Sequence, residues 1–348
     1  MRTQTRRAFL TSVAGMSAAG LAGCLGADAT DQESAETLAS ASFFVFGDVA
    51  THVAGEDATA ETLVPVGQHG HGWEPGPDIQ GRILESDLFV HGMPTFQPWA
   101  DDVLTSLAAD DSDVVSVDVS ADIDLHEATD DGHAHDDEST ASGTDDADGH
   151  DDGHDDDHDD DAQSDSDESH GMVDPHFWMD PRNVVTATET LRDAFQAVDG
   201  ANADAYAANA DAYRSALLDL DSTIETALES RDRDVILVAG HDAFGYLGDR
   251  YDIDVVALTG LGPDETPSPR DIERAQATIE EHGIRHVLAD PLESDRAATQ
   301  LVAETDAEAV LPLTSIPGLT SEWREAGWGY IDIVRETNLP SLQTALDA

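Results

Sequence analysis

Short apolar runs alternate with longer stretches of helical spacing along most of the chain. Residues 42–46, 62–66, 88–91 and 114–119 read as strands, with helical stretches near 77–85 and 97–108 between them. The second half repeats the scheme: buried strands at 235–239, 255–258, 286–289 and 309–313, separated by helical stretches near 242–251, 270–282 and 295–304. Ser268-Pro269-Arg270-Asp271 is a helix start, with serine at the cap, proline in the first turn and an acid three residues on. Strands alternating with helices imply parallel sheets. The expected fold is α/β, with two lobes, at residues 42–200 and 230–348, each holding a small, mainly parallel four-stranded sheet flanked by helices.

Two segments depart from this alternation. Between the lobes, residues 201–229 carry Tyr206, Ala210, Tyr213, Leu217, Leu220 and Ile224 at spacings near 3.6, with no internal proline or glycine. That pattern predicts one long amphipathic helix, roughly 40 Å at about 1.5 Å per residue, which would act as a stiff strut. Residues 126–170 are almost entirely Asp, Glu, His, Gly, Ser, Thr and Ala. Such a stretch cannot bury enough apolar surface to offset its ordering entropy, so it is expected to be a disordered loop within the first lobe. It holds seven histidines, His126, His133, His135, His150, His154, His158 and His170, among the fifteen in the chain. A solvated acidic linker explains the acids but not the imidazoles, which suit zinc, copper, nickel and iron. The loop is read as a weak, multiple metal-capture segment.

The N-terminus reads as an address. Arg6-Arg7-Ala8-Phe9-Leu10 followed by a mildly apolar run to Gly23 is too short for a membrane helix and fits an export signal of the twin-arginine type over residues 1–23. Leu21-Ala22-Gly23-Cys24 resembles a lipoprotein cleavage box, which would make Cys24 the lipidated first residue and residues 24–41 a flexible tether. Export and anchoring on the outer face of the cytoplasmic membrane are the expectation. Cys24 is the only cysteine, which excludes an intramolecular disulfide and any multi-cysteine metal site.

Composition narrows the partners. The chain has 348 residues with 74 acidic and 16 basic side chains, a formal charge of −58, and every basic residue is arginine. Nucleic acid and anionic lipid are disfavoured as main partners, and cationic ligands are favoured. Acid excess without lysine also fits a halophilic proteome, where salt screens self-repulsion within about 3 Å at 1 M. A hydrophobic content of 40 % supplies a real core.

Outside the insert, three histidine motifs stand where chemistry is expected. Gly67-Gln-His69-Gly-His71-Gly-Trp-Glu74-Pro-Gly-Pro77 follows a strand; Asp174-Pro-His176-Phe-Trp-Met-Asp180-Pro follows the insert; Gly240-His241-Asp-Ala-Phe-Gly-Tyr246 follows a strand and opens a helix. Ligands of open parallel sheets bind beyond the carboxyl ends of the strands, which places His71 and His241 at such a crevice, one from each lobe. Three neutral imidazoles would make a cup for a divalent ion, with water or a carboxylate as fourth ligand. The sequence separations themselves carry no geometric code.

These motifs resemble those of the metal-specific solute-binding proteins of ABC importers (bacterial solute-binding protein 9 family, cluster A-I), especially the zinc-uptake, ZnuA-type branch. Ala41-Ser-Phe-Phe resembles the family's opening strand, His71-x-x-Glu74-Pro-x-Pro77 its first ligand motif, Asp174-Pro-His176-x-Trp178-x-Asp180-Pro its second and His241-Asp-Ala-Phe-Gly-Tyr246 its third. Tyr206-x-x-Asn209-Ala-x-x-Tyr213, Pro267-Ser-Pro and Tyr330-x-Asp-x-x-Arg-x-x-Asn338 also fit. The resemblance implies one metal in the cleft, Zn2+ as transported ligand, held by His71, His176 and His241, with His69, Glu74 and Asp180 as auxiliary residues. Manganese-type relatives tend to carry a carboxylate at the position of His241 and an aspartate late in the second lobe. The matching late segment, Val310-Leu-Pro312-Leu-Thr, has no acid, which favours a three-histidine zinc site completed by water.

The implied function is a monomeric, lipid-anchored extracytoplasmic receptor delivering zinc to the permease and ATPase subunits of an ABC importer. Alternatives are a receptor for manganese or another divalent metal, an adhesin-like metal-binding surface protein and, less favoured, a zinc hydrolase. No His-Glu-x-x-His motif or nucleophile elbow is present, so an enzyme is not expected.

Overall fold

The computed structural model describes residues 36–70, 72–127, 173–263 and 265–348. The export signal, Cys24, the tether as far as residue 35, His71, and His133, His135, His150, His154, His158 and His170 lie outside the described residues. Among the described residues no helix is long and apolar enough to cross a membrane.

The first lobe runs β1 (Thr37–Ala41), α1 (Phe44–Ala54), β2 (Ala58–Thr62), α2 (Ile79–Ile83), β3 (Leu88–His91), α3 (Pro98–Ala109) and β4 (Val115–Asp118). Two long helices follow, α4 (Pro181–Val198) and α5 (Ala203–Leu228). The second lobe runs β5 (Val235–Val238), α6 (Gly245–Tyr251), β6 (Asp254–Ala257), α7 (Pro269–His282), β7 (His286–Ala289), α8 (Arg296–Glu304) and β8 (Ala309–Pro312). Three short helices close the chain: α9 (Ser321–Ala326), α10 (Tyr330–Ile333) and α11 (Leu339–Leu346). The two sheets are four-stranded, in the orders β2-β1-β3-β4 and β6-β5-β7-β8, and every pairing is parallel.

The expected strands of the second lobe, and β3 and β4 of the first, fall within a residue or two of the observed ones. The first two strands correct the sequence reading. The run at 42–46 is not the opening strand. β1 lies earlier, so residues 37–41, read as the end of a tether, form a central strand of the sheet. Phe46, Val49, Ala50 and Val53 share a helical spacing and are buried on α1, and that spacing outranks the β-forming character of Phe43-Phe44-Val45. A strand flanked on both sides and both faces takes small residues, and Ala39, Ser40 and Ala41 are fully buried. The strand expected at 62–66 ends at Thr62, because its partner ends there: the register runs from Thr37 opposite Ala58 to Ala41 opposite Thr62.

The helix start expected at Ser268 carries its cap, and α4 is capped by Asp180. Ser268 accepts from the Asp271 backbone N–H while Asp271 accepts from the Ser268 N–H, and Gly283 closes α7 at φ 59° in the left-handed region. Asp180 caps α4 by accepting from Arg182 N at 2.8 Å, with Pro181 in the first turn.

One face of each sheet is covered locally. Phe89, Trp99, Val103 and Ile83 pack between the first sheet and α2 and α3, and Val287, Ile279 and Leu301 between the second sheet and α7 and α8. The opposite faces share a single apolar core. It continues from Val90 and Phe46 through Trp178, Leu191, Tyr213 and Leu220 to Ile236, Leu288 and Leu346. Helix α5, with 26 residues over roughly 40 Å, crosses this core and is pinned to both lobes. Asn209 Nδ2 donates to Val53 O at 3.1 Å and the Tyr213 hydroxyl to Asp48 Oδ2 at 2.8 Å on the first-lobe side. On the other side buried Asp221 accepts from Arg250 Nη2 at 2.7 Å and the Tyr251 hydroxyl at 3.1 Å. The strut expected from sequence is therefore half of the answer. The lobes also share one apolar core, so hinge opening would expose buried apolar surface as well as bend the helix.

Candidate metal centre

In both sheets the chain leaves the two central strands in opposite directions, which opens a crevice beyond their carboxyl ends. In the second lobe that switch point lies between β5 and β7. His241 follows β5 and Glu293 follows β7, so the topology brings together two residues separated by more than fifty positions. His241 Nδ1 lies 2.9 Å from Glu293 Oε1, and His241 is 4 % exposed. Gly240 makes room for this contact: a Cβ there would stand 3.1 Å from Glu293 Oε2. Asp290 shapes the turn that presents Glu293, accepting from Leu292 N at 2.8 Å and Ser315 N at 3.0 Å. Burial pushes the Asp290 carboxyl up.

The first lobe contributes the loop after β2. His69 Nε2 lies 3.3 Å from the same Oε1 of Glu293, and the His69 and His241 rings are 5.5 Å apart. The ligand atoms of His69, His241 and Glu293 all fall within 4.8 Å of one another. A tetrahedral zinc ion with bonds of about 2.0–2.2 Å would draw such atoms together by small side-chain movements. The loop is anchored on both sides. Gln97 Nε2 donates to Ser42 O and Gly70 O, at 3.0 and 3.1 Å, and Gly70 N and Gly67 N donate across the groove to Pro317 O and Leu319 O, at 3.0 and 2.8 Å. Gly70 is required there, because a Cβ would lie 2.7 Å from Pro317 O and 2.8 Å from the Phe43 ring.

His176 closes the floor. It begins the short turn Phe177–Met179, is 1 % exposed, and its ring is 5.2 Å from that of His241. Asp174 Oδ1 accepts from both the His176 backbone N–H at 2.9 Å and the ring Nδ1 at 2.8 Å. The carboxylate thereby places the ring proton on Nδ1 and makes Nε2 the unprotonated nitrogen. Burial lowers the His176 pKa against the opposing pull of Asp174, so the neutral, metal-binding form is favoured. Beneath it Trp178 is held from both sides, its Nε1 donating to Ser315 O at 2.7 Å and its carbonyl accepting from the Tyr330 hydroxyl at 2.6 Å.

Glu293 carries the charge of the group. Burial acts to raise its pKa, but hydrogen bonds and charge from His241 and His69 outweigh that and hold it at about 2. It is a carboxylate at every physiological pH. The groove beyond it is a cleft of about 580 Å³ bordered by Trp73, Thr259, Glu265, Glu293 and Arg296. A basin of this size, in a chain of formal charge −58, admits a hydrated cation and leads it to the buried donors.

Of the residues expected from sequence, His241 and His69 line the groove with Glu293, His176 is buried beside them with its ring 5.2 Å from that of His241, and His71 lies outside the described residues. Glu74 is exposed and does not border the cleft. Asp180 is a helix cap, as its place before Pro181 allows. His126 is the one histidine of the insert that the structure describes, and it stacks on Tyr246 at 3.8 Å between ring centres. Glu293, after β7, places a carboxylate beside His69 and His241, a residue that the sequence reading did not single out. The available signal was an acid a few residues past a buried strand, Leu288-Ala289-Asp290-Pro291-Leu292-Glu293.

Comparison with known proteins gives the same architecture. The chain is 26 % identical over 304 residues to the high-affinity zinc uptake system protein ZnuA of Bacillus subtilis (strain 168), covering 87 % of this chain and 86 % of that protein. It is 26 % identical over 308 residues to the zinc-binding lipoprotein AdcA of Streptococcus pneumoniae (strain ATCC BAA-255 / R6), covering 88 % of this chain but 55 % of AdcA, so it spans about half of that relative. The crystal structure of the Zn(II)-bound ZnuA-like domain of Streptococcus pneumoniae AdcA shares the fold, with a TM-score of 0.69 at 23 % identity, over 90 % of this chain and 100 % of that one. The family described as zinc-uptake complex component A, periplasmic, matches residues 40–345, and the chain belongs to that family of solute-binding receptors.

Proposed function

We infer that this protein is an extracytoplasmic receptor that captures Zn2+ between its two lobes and delivers it to the permease and ATPase of an ABC importer. The observation that carries the reading is the convergence of His69, His241 and the carboxylate of Glu293 on one groove, with the buried His176 ring 5.2 Å from that of His241. Imidazole nitrogen with a single carboxylate is a donor set that zinc favours, and the low pKa of Glu293 supplies a permanent negative charge. Family membership and the zinc-binding relatives support the same conclusion.

The proposed ligands are His176, His241, Glu293 and one imidazole from the loop after β2. Geometry supports His69 for that last place, and the resemblance of His71-x-x-Glu74-Pro to the family's ligand motif supports His71. Capture and release would proceed through local movement of the loops carrying His69 and Glu293, since the shared core holds the lobes together. The role is binding rather than catalysis. Export by the twin-arginine route and anchoring through Cys24 complete the proposal, and the similarity to the zinc-binding lipoprotein AdcA supports the anchoring.

Calorimetric titration of the metal-free protein tests the central claim. One tight zinc per chain is expected, and His176→Ala should abolish it. Tight binding unchanged in that variant would remove His176, and with it the proposed site.

A further inference from the structure

Behind His176 stands a closed set of contacts that metal binding does not itself require. The Tyr246 hydroxyl, on the first turn of α6, donates to Asp174 O at 3.0 Å and accepts from His126 N at 2.8 Å. His126 O in turn accepts from Asp174 N at 2.9 Å, so three residues distant in sequence form one hydrogen-bonded ring. The His126 imidazole lies flat on the Tyr246 ring, with centres 3.8 Å apart and planes 8° apart, and its Nε2 stands 3.6 Å from Asp249 Oδ2. One residue further out, Glu127 and Val173 pair as an antiparallel bridge. On the other side of Asp174, a Cβ added to Gly245 would come within 3.2 Å of Asp174 Oδ2. Asp174 is therefore fixed at its amide, its carbonyl and its carboxylate, and that carboxylate is what sets the proton and the direction of the His176 ring.

We propose that Tyr246 is a positioning residue for the metal centre, which fixes Asp174 and through it the His176 imidazole, and that His126 serves as its stacked cover rather than as a metal-capture histidine. This rests on the reading of His176 as a zinc ligand. The reasoning is mechanical. Asp174 and His176 are separated by Pro175, whose ring restricts φ, so a small rotation at Asp174 passes to the His176 backbone with little local slack. Partners that orient metal-bound histidines change metal affinity by about 10- to 100-fold when removed. Tyr246 stands one contact further out, so a loss near the lower end is expected.

The test uses the full chain and the variants Tyr246→Phe, His126→Ala and Gly245→Ala. Tyr246→Phe keeps the ring under His126 and removes only the hydroxyl. Its zinc affinity, measured by competition with a chromogenic chelator, should fall by about 10-fold. The visible absorption of the Co2+-loaded protein should shift in position, which a change in global stability alone would not produce. In metal-free protein the ring 15N signals of His176 should change from one Nδ1–H tautomer to a mixture. His126→Ala retains the backbone N–H and should cost only a few-fold, while Gly245→Ala should reproduce the cobalt shift by displacing the Asp174 carboxylate. If Tyr246→Phe fails to fold, the Gly245→Ala and His126→Ala variants carry the same spectral test. Wild-type zinc affinity, cobalt spectrum and tautomer in Tyr246→Phe would overturn the inference. If wild-type protein binds no zinc while Tyr246→Phe still mixes the tautomers, the zinc reading fails and the positioning role stands.

Discussion

Glu293→Gln is the substitution for which structure and magnitude can be worked together. The change preserves shape and the ability to accept a ring N–H, and removes one charge from a group already ionised down to about pH 2. Taken at about 4 Å, longer than a direct bond and so a lower bound, a divalent cation beside one carboxylate at an effective dielectric near 20 gains roughly 8 kcal/mol before any cost is counted. Desolvation and the loss of the existing contacts to His241 and His69, at 2.9 and 3.3 Å, cancel about half, leaving roughly 3–5 kcal/mol. That corresponds to zinc affinity weaker by about 150- to 4,000-fold. Competition with a chromogenic chelator at neutral pH, with the metal-free melting temperature as control for folding, measures it. A well-folded Glu293→Gln protein whose Kd stays within about threefold of wild type would refute the inclusion of Glu293 among the donors.

The same carboxylate has a signature without metal. Its pKa falls from an ordinary 4.5 to about 2, so it contributes stability that is present above pH 4.5 and is lost as the pH falls toward 2. Linkage puts this at about 3 kcal/mol, reduced to about 2 kcal/mol by solvent reaching the partly exposed group. The melting-temperature gap between metal-free wild type and Glu293→Gln should therefore narrow across that interval, and a gap independent of pH would contradict the assignment. Alanine at His69 and at His71, measured separately, identifies the imidazole of the first lobe. The geometry predicts the larger loss of zinc affinity at His69, by about 100-fold or more, and the reverse ranking would return that place to His71. Asp221→Asn breaks the contacts to Arg182, Arg250 and Tyr251 at 3.0, 2.7 and 3.1 Å and should cost roughly 3 kcal/mol in denaturant unfolding, with Kd for zinc unchanged in the folded protein. A loss below about 1 kcal/mol would show that the interlobe pin is dispensable. Cys24→Ala should move the protein from the membrane fraction to the soluble one, and continued sedimentation with membranes would count against a lipid anchor.

Elements built from local signals were legible along the chain. Parallel strands buried on both faces announce themselves as apolar runs, as at Val235–Val238 and His286–Ala289. The capping box at Ser268 and Asp271 and the heptad-like stripe of α5 carry their geometry within a few residues. Local signals misled where two of them overlapped. The aromatic run at Phe43–Phe46 has strong β character, yet its members serve the interlobe core, where Phe43 and Trp178 meet at 4.7 Å between ring centres. Helix α4 had a readable start at Asp180-Pro181 and buried positions at Val184, Thr188, Leu191 and Phe195, but lay unassigned beside the more regular α5.

The α/β alternation, the repeated lobe plan, the long helix between lobes and the kinds of side chain available to hold a cation are all readable along the chain. These depend on periodicity and residue chemistry, which act between near neighbours. Packing alone settles which histidines meet, that Glu293 joins His69 and His241, that Asp174 and Tyr246 stand behind His176, and that a common core holds the lobes together. A coordination sphere is a set of distances of a few ångströms between loops far apart in the chain. Such distances are set by the crossing of strands at a switch point and by the packing of one lobe on the other.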